Sequence, residues 1–424
     1  MSLIDELQWR GLVHDMTPGT AEQLEKECTS GYVGFDPTAD SLHIGNLVPI
    51  MLLVHLQRAG HKPIALVGGA TGRVGDPSGK TAERQLLTTE LIEHNLACQK
   101  NQLQKFLRFG DGPTDAMIVN NYDWFKEFSF LDFIRDVGKH ITVNYMMAKD
   151  SVKNRLDSGM SFTEFSYQLI QGYDFYHLNK EMNVKLQMGG SDQWGNITTG
   201  TELTRRLGGG DTFALTAPLV KKADGSKFGK SEGGNVWLDA EKTSPYKFYQ
   251  FWLNTSDEDV LNFVKIFSLK PKGEIETLIG THAEAPHLRT LQRALAEELT
   301  ARIHSEEALQ SAIEASEILF GKSTSESLRK LSERDFLDIF NGVEQKEVSL
   351  GGVQSGIDLI EFLSDTTGFL SSRGEARRAL KENSISINKE KVSEGLTVSA
   401  EHLINGQYIL LQRGKKKYFI AKAG

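Results

Sequence analysis

The stretch Tyr32-Val-Gly-Phe-Asp36-Pro-Thr38-Ala-Asp40-Ser-Leu-His43-Ile-Gly45-Asn46 decides the fold. Residues 32–35 have strand composition, a polar turn follows, and from 45 to 60 apolar residues recur at helical spacing. A strand passing through a short turn into a helix opens a βαβ unit. The start of that helix offers free N–H groups and the positive end of its dipole to an anion. His43 and Asn46, three residues apart, share one face of the turn, and Gly45 removes a side chain where a flat ring could approach. The same residues would also serve as a capped helix carrying an incidental histidine.

Outward from this unit the pattern repeats. Further candidate strands lie at 63–67, 116–120 and 184–188, each followed by glycines or polar turn residues and then a helical pattern, as in 192–207. This alternation predicts a Rossmann-like parallel α/β domain over residues 1–222, with ligands at the carboxyl ends of its strands. Beyond residue 244 the strand signal fades. Leu288, Leu291, Leu295, Leu299 and Ile303 recur at helical spacing, which predicts a helical domain within 223–320. Residues 321–351, rich in Ser, Glu and Lys, read as a linker with one short helix. Residues 352–424 combine a basic helix with alternating apolar segments and read as a small α+β module. There is no internal repeat and no low-complexity tract.

A chain of 424 residues is too long for one small binding module, and 39% hydrophobic with 25% charged residues is the composition of a folded protein. The longest apolar run, 47–54, contains Pro49 and falls short of the ~18 residues a membrane helix needs. The first ten residues, MSLIDELQWR, lack the basic, apolar and small-residue regions of a secretory signal. Cys28 and Cys98 stand far apart and outside any CxxC pair, so neither a disulfide framework nor a thiolate metal site is expected. A reducing cytoplasm is the expected compartment.

Net charge needs a local scale. The whole chain carries −8, which by itself disfavours a nucleic-acid partner. Residues 366–424, however, hold 11 basic and 5 acidic side chains, a local +6, and leave −14 to the rest. Arg373, Arg377 and Lys381 follow four-residue spacing on one helix, and Arg413-Gly-Lys415-Lys416-Lys417 lies between two apolar runs. Such charge runs are also found simply solvated.

Four more segments carry polar groups of nucleotide-binding type. Leu66-Val-Gly68-Gly69-Ala-Thr71-Gly72-Arg-Val-Gly75-Asp76-Pro-Ser-Gly79-Lys80-Thr81 invites a P-loop reading, which fails because three residues separate Gly75 from Gly79 where four are required. Lys80 and Arg84 can still present two cations to one polyphosphate, or stay solvated. In Phe162-Thr-Glu-Phe-Ser-Tyr167-Gln-Leu-Ile-Gln171-Gly-Tyr173-Asp174, a phenol, an amide and a carboxylate follow i, i+4, i+7 along one helical stripe. Buried, they need partners from a ligand or from a neighbouring helix. Leu186-Gln-Met-Gly189-Gly190-Ser-Asp192-Gln193-Trp-Gly195-Asn196 joins strand to helix, with Asp192 able to cap that helix or accept from ribose hydroxyls. Lys227 and Lys230 sit on the glycine-punctuated loop Lys221-Lys-Ala-Asp-Gly225-Ser-Lys227-Phe-Gly229-Lys230-Ser231, which can close over phosphates or form a plain surface turn. No Ser/His/Asp set, metal-ligand cluster or pair of catalytic carboxylates is apparent, so chemistry by positioning and charge stabilisation is expected.

In order and spacing these segments resemble the bacterial tyrosyl-tRNA synthetases, within the class I aminoacyl-tRNA synthetases. His43-Ile-Gly-Asn46 is similar to the HIGH motif and Lys227-Phe-Gly-Lys230-Ser231 to the KMSKS motif, and the resemblance extends over essentially the whole chain. It implies activation of L-tyrosine by ATP, with Mg2+, to tyrosyl-adenylate and pyrophosphate, then transfer to the terminal ribose of tRNA(Tyr). It further implies that Tyr32 and Asp174 bind the phenol and that Asp76, Tyr167 and Gln171 hold the ammonium group. Gln193 is placed near the reacting carboxylate, Asp36, Thr38, His43, Gly190 and Asp192 in the ATP site, and Lys80, Arg84, Lys227 and Lys230 on the departing pyrophosphate.

Asn46 departs from the motif, since a histidine stands there in HIGH. An amide can donate a hydrogen bond without carrying charge, so a neutral role is expected of it. A pocket built for the phenol hydroxyl would reject phenylalanine without editing, a principle for which this enzyme family is itself the worked case. The last module resembles an S4-like RNA-binding domain, which implies tRNA contact through Arg373, Arg377, Lys381, Arg413, Lys415, Lys416 and Lys417. Family members are homodimers, and Phe162 matches an interface position, although it could equally be core. No structural metal is expected. A tryptophanyl enzyme, a cytidylyltransferase-like nucleotidyltransferase and a non-catalytic RNA-binding descendant are the alternatives, all disfavoured by the phenol-directed pair, the S4-like tail and the four retained cations.

Overall fold

The computed structural model describes residues 2–78, 87–156, 159–226, 228–231, 234–319, 325–414 and 417–424. The strands of the first sheet are Asp15–Met16 (β1), Ser30–Phe35 (β2), Lys62–Val67 (β3), Met117–Asn120 (β4), Val184–Gly190 (β5) and Phe213–Ala217 (β6). Their order is β1-β6-β5-β2-β3-β4, parallel throughout except for the antiparallel edge strand β1. The expected strands are all present. β1 and β6 were not anticipated, because two residues carry no periodicity and Phe-Ala-Leu-Thr-Ala is short and rich in small residues.

Strand order places the ligand site. The chain steps from β2 to β3 to β4 in one direction, then returns to put β5 on the other side of β2. The loops after β2 and β5 diverge at that reversal, which opens a crevice at their carboxyl ends. β3 is buried over Pro63–Val67, as a strand covered on both faces must be. Beneath the crevice, the helix Leu47–Arg58 buries nine of its twelve residues. Pro49 lies in its first turn, where a missing N–H forfeits no helical bond.

The helix Phe162–Met182 begins at Ser161, whose side chain accepts the Glu164 N–H, and stops at Asn183 in the left-handed region at φ 52°. Its first turn is anchored by Arg155, which donates to both carboxylate oxygens of Glu164 at 2.9 and 3.0 Å, with both side chains buried. Fastening this end fixes the axial position of Tyr167, Gln171 and Asp174 further along.

Two compact units divide the chain: residues 1–243 with 252–303, and residues 244–251 with 304–424. In the first, Leu291, Leu295, Leu299 and Ile303 form the buried stripe of the helix Thr290–Ile303. Leu288, expected on that stripe, lies in the preceding turn at 57% exposure, because the helix begins two residues after it. Among the described residues no helix is long and apolar enough to cross a membrane.

The second unit contains a five-stranded sheet ordered Glu390–Lys391, Ile385–Ile387, Tyr408–Arg413, Lys417–Ala423, Gln345–Val348. Its last strand comes from the segment expected to be linker, and it pairs in parallel with 420–423. Phe336 and Phe340, from the same segment, pack against Tyr408 and Tyr418 at centroid distances of 5.3 and 5.6 Å. The segment reads as linker because Gln-Lys-Glu-Val is a polar edge strand and its apolar residues are sparse.

Candidate active site

Asp36 stands at the carboxyl end of β2 and accepts two hydroxyl hydrogen bonds, from Thr71 at 2.6 Å and from Tyr167 at 2.8 Å. Gly68 makes this possible. A Cβ there would lie 2.2 Å from Asp36 Oδ1 and 2.3 Å from Thr71 Oγ1. Gly68 thus makes room for the site's own side chains, and Gly69 does the same for Asn120.

Asp174, 1% exposed, accepts from Asn121 Nδ2 at 3.0 Å and from Trp124 Nε1 at 2.9 Å. Burial pushes its carboxyl up to about 8, the two donors pull it back, and the Asp36 charge adds to the rise. Tyr32, on β2, is 1% exposed and its hydroxyl has no hydrogen-bond partner among the described residues. Burial, and then the Asp174 charge, drive its phenol well above the ordinary range. The Oε1 atom of Gln171 is likewise buried without a partner among the described residues. An unpartnered buried polar atom costs ~1–3 kcal/mol, so a site carrying two suits a ligand that satisfies them.

Between these groups and the helix Trp194–Arg206 lies a second knot. Asp76 accepts from Gln193 Nε2 at 2.7 Å and from the Ser78 N–H at 2.9 Å, and Asn196 Nδ2 reaches Gln193 Oε1 at 3.2 Å and Ser78 Oγ at 3.2 Å. Tyr167 feels both carboxylates: burial, then Asp36 and Asp76, raise its phenol well above the usual value. Gly190 sits beneath Asp192, since a Cβ there would meet Asp192 Oδ1 at 2.5 Å.

Further along the segment after β2, His43 precedes the short 3-10 turn Ile44–Asn46. Its Nδ1 accepts the Gly45 N–H at 3.0 Å, and its own N–H donates to Asn46 Oδ1 at 3.0 Å. Asn46 therefore spends its oxygen on the turn and presents its NH2 group as a donor, in keeping with a neutral role. Thr38 is exposed on the preceding turn, its N–H bonded to the Asp36 carbonyl at 2.8 Å. Lys80, Arg84 and Lys227 lie outside the described residues. Of Lys230 the backbone is described, paired with Asn235.

The chain matches the family described as tRNA synthetases class I (W and Y) over residues 25–321 and the tyrosine–tRNA ligase SYY-like C-terminal domain over 335–421. The tyrosine–tRNA ligase of Flavobacterium johnsoniae is 62% identical over 427 residues, covering 99% of each chain. The chain belongs to the tyrosine–tRNA ligases. It is an aminoacyl-tRNA synthetase of class I, as the sequence resemblance implied.

Further similarities agree with that membership. The tyrosine–tRNA ligase of Porphyromonas gingivalis is 59% identical, again over 99% of each chain. A C-terminally truncated mitochondrial tyrosyl-tRNA synthetase from Aspergillus nidulans superposes with a TM-score of 0.67 at 30% identity, covering 75% of this chain and 94% of its own. A tryptophanyl-tRNA synthetase from Encephalitozoon cuniculi shares the fold at a TM-score of 0.52 and 14% identity, covering 79% of this chain and 91% of its own.

In the basic module several of the cations have local partners that the sequence does not reveal. Arg373 donates to Asp365 at 2.7 Å, Arg377 faces Glu394 at 3.7 Å, and Arg413 donates to Glu375 at 2.6 Å. Three of the cations expected on one RNA-facing surface thus already have carboxylate neighbours. Lys381 and Lys417 are exposed, and Lys415 and Lys416 lie outside the described residues. Sequence reading also missed Thr71, Asn121, Trp124 and Asn196. The signal for Asn121 and Trp124 was available, since they follow the end of β4, where an α/β sheet puts functional side chains.

Proposed function

We propose that the enzyme of this family works here through the groups gathered at the β2/β5 crevice. Tyr32 and Asp174 take the substrate phenol, each supplying a hydrogen-bonding atom in a place closed to water. Asp76, Tyr167 and Gln171 hold the ammonium group, and Gln193 orients the carboxylate. ATP lies over Asp36, Thr38 and His43, with its ribose at Gly190 and Asp192. Attack of the tyrosine carboxylate on the α-phosphorus forms tyrosyl-adenylate and releases pyrophosphate, whose growing charge Lys80, Arg84, Lys227 and Lys230 stabilise, while Asn46 donates a neutral hydrogen bond. Transfer to the terminal ribose of tRNA(Tyr) completes the reaction.

One observation carries this reading: a fully buried carboxyl raised to about 8 beside a buried phenol without a partner. Such a pair is costly unless a polar ligand completes it. A magnesium ion enters with the nucleotide phosphates; among the described residues no cluster of three His, Cys, Asp or Glu side chains could hold one.

In this reading the division of labour is a catalytic domain over 1–222, a loop and helical domain over 223–320, and an RNA-binding end over 352–424. Arg373, Arg377, Lys381, Arg413, Lys415, Lys416 and Lys417 are its tRNA contacts. The enzyme works as a cytoplasmic homodimer. Phe162 at 66% exposure, lining one pocket with Phe130 at 64% and Ile134 at 45%, supports that assembly, because clustered exposed apolar side chains mark interaction surfaces. Exchange of pyrophosphate into ATP, measured with each of the twenty amino acids, tests the substrate assignment. Tyrosine alone should support it, and equal exchange with phenylalanine or tryptophan would overturn it.

A further inference from the structure

Residues 236–238 pair with residues 42–44, the turn that carries His43. Ile44 N–H donates to the Val236 carbonyl at 2.9 Å and Leu238 N–H to the Leu42 carbonyl at 2.8 Å, which sets Trp237 opposite His43 in an antiparallel bridge. The rings meet edge to face, with centroids 5.9 Å apart and planes at 67°. Trp237 is itself fixed. Its N–H donates to Thr243 Oγ1 at 2.9 Å, and the Lys242 ammonium lies 5.5 Å from its ring centroid. That ammonium also pairs with Asp40 at 2.8 Å, on the turn before His43.

The same patch reaches the KMSKS-type loop. Val236 N–H donates to the Gly229 carbonyl at 3.0 Å, and Gly229, at φ +91°, passes so close to the turn that a Cβ would lie 3.4 Å from Gly45 N. The imidazole gains a definite task from this arrangement. With Nδ1 accepting from Gly45, a neutral ring carries its proton on Nε2 and can donate it to an oxygen. Which oxygen it reaches depends on the plane of the ring, and the contact with the Trp237 ring restricts that plane.

We propose that Trp237 is a positioning residue for adenylate formation: it holds His43 in the orientation that donates from Nε2, while the Asp40–Lys242 pair keeps the loop's return segment in register with the nucleotide turn. This rests on the reading of His43 as part of the ATP site. The pair is partly exposed, so its role lies in register rather than in stability.

The test uses the full chain with Trp237→Ala, Trp237→Phe and His43→Ala, alone and combined. Tyrosine affinity by equilibrium dialysis of labelled tyrosine should stay within about twofold in Trp237→Ala, while kcat for tyrosine-dependent exchange falls at least tenfold; a misplacement of ~1 Å costs roughly a hundredfold. Trp237→Phe, which keeps an aromatic ring at this position, should recover most of that loss. In the His43→Ala background, adding Trp237→Ala should cost no more than about twofold, as expected when both act through one group.

Asp40→Lys and Lys242→Asp should each lower kcat, and together restore it. An unchanged kcat in Trp237→Ala, or a fully additive loss on top of His43→Ala, overturns the proposal while leaving the ATP-site reading intact. If His43→Ala itself leaves exchange unchanged, that underlying reading fails first.

Discussion

Asn121 links Asp174 to Asp36 through one amide and the Thr71 hydroxyl. Its Nδ2 lies 3.0 Å from Asp174 Oδ2 and 3.1 Å from Thr71 Oγ1, and that hydroxyl donates to Asp36 at 2.6 Å. The Asn121 oxygen is also committed, accepting the Ala70 N–H at 2.6 Å. The residue is therefore locked, and Asp174 and Asp36 share a hydrogen-bonded frame.

Removing that amide should act on tyrosine first. Asn121→Ala takes one donor from the buried Asp174 carboxyl, and leaving a buried polar group under-satisfied costs ~1–3 kcal/mol. The KM for tyrosine in pyrophosphate exchange should rise roughly tenfold to a hundredfold, with a smaller change in kcat. A KM within about twofold of the unmodified enzyme would contradict this role.

The raised Asp174 carboxyl makes the unliganded enzyme's stability depend on pH. Folded, it titrates at about 8; unfolded, at about 3.9. The folded state therefore holds the proton more tightly, so the linked stability is complete below about pH 4 and is lost as pH rises through about 8. Asp174→Asn is neutral throughout, and its Tm relative to the unmodified protein should climb steadily across that window. Parallel Tm profiles for the two proteins would rule the effect out.

Gly68→Ala tests the frame from its other side. A methyl group 2.2 Å from Asp36 Oδ1 must displace either Asp36 or Thr71, breaking the bonds from Thr71 and Tyr167. A misplacement of that size costs ~100-fold in turnover. Exchange activity should fall on that order while the helical content by circular dichroism is kept; activity within about threefold would show that the frame yields without consequence.

How much of this was legible in the residues varies with the physical signal. β2, β3, β4 and β5 were legible because apolar runs bounded by turn residues are a local pattern, and the crevice followed from the strand–turn–helix grammar around Asp36 and Asp192. The Asp36–Tyr167 bond was not, because it joins residues 131 positions apart, and no periodicity reports such a pair. Asn121 and Trp124 were missed for a different reason: each looks like an ordinary turn or helix-start residue until Asp174 is placed opposite. The segment 321–351 misled because sparse apolar residues look like linker, yet Phe336 and Phe340 suffice to pack it against Tyr408 and Tyr418.

That packing changes how the RNA-binding end should be removed. Deleting residues 350–424 strips the partner strand from Gln345–Val348 and the facing rings from Phe336 and Phe340. A chain ending at residue 321, where the synthetase-family match ends, avoids both defects. It should form tyrosyl-adenylate at a rate near that of the full chain and lose tRNA charging, while a chain ending at 349 should aggregate by light scattering. Undiminished charging by the shorter chain would contradict the role given to the module.

The central claim is that Asp174 and Tyr32 form the tyrosine-selecting end of the site. The most direct measurement is tyrosine-dependent ATP–pyrophosphate exchange by Asp174→Ala, with folding verified by circular dichroism. The expected result is loss of exchange in a folded protein; near-normal exchange with tyrosine would contradict the claim.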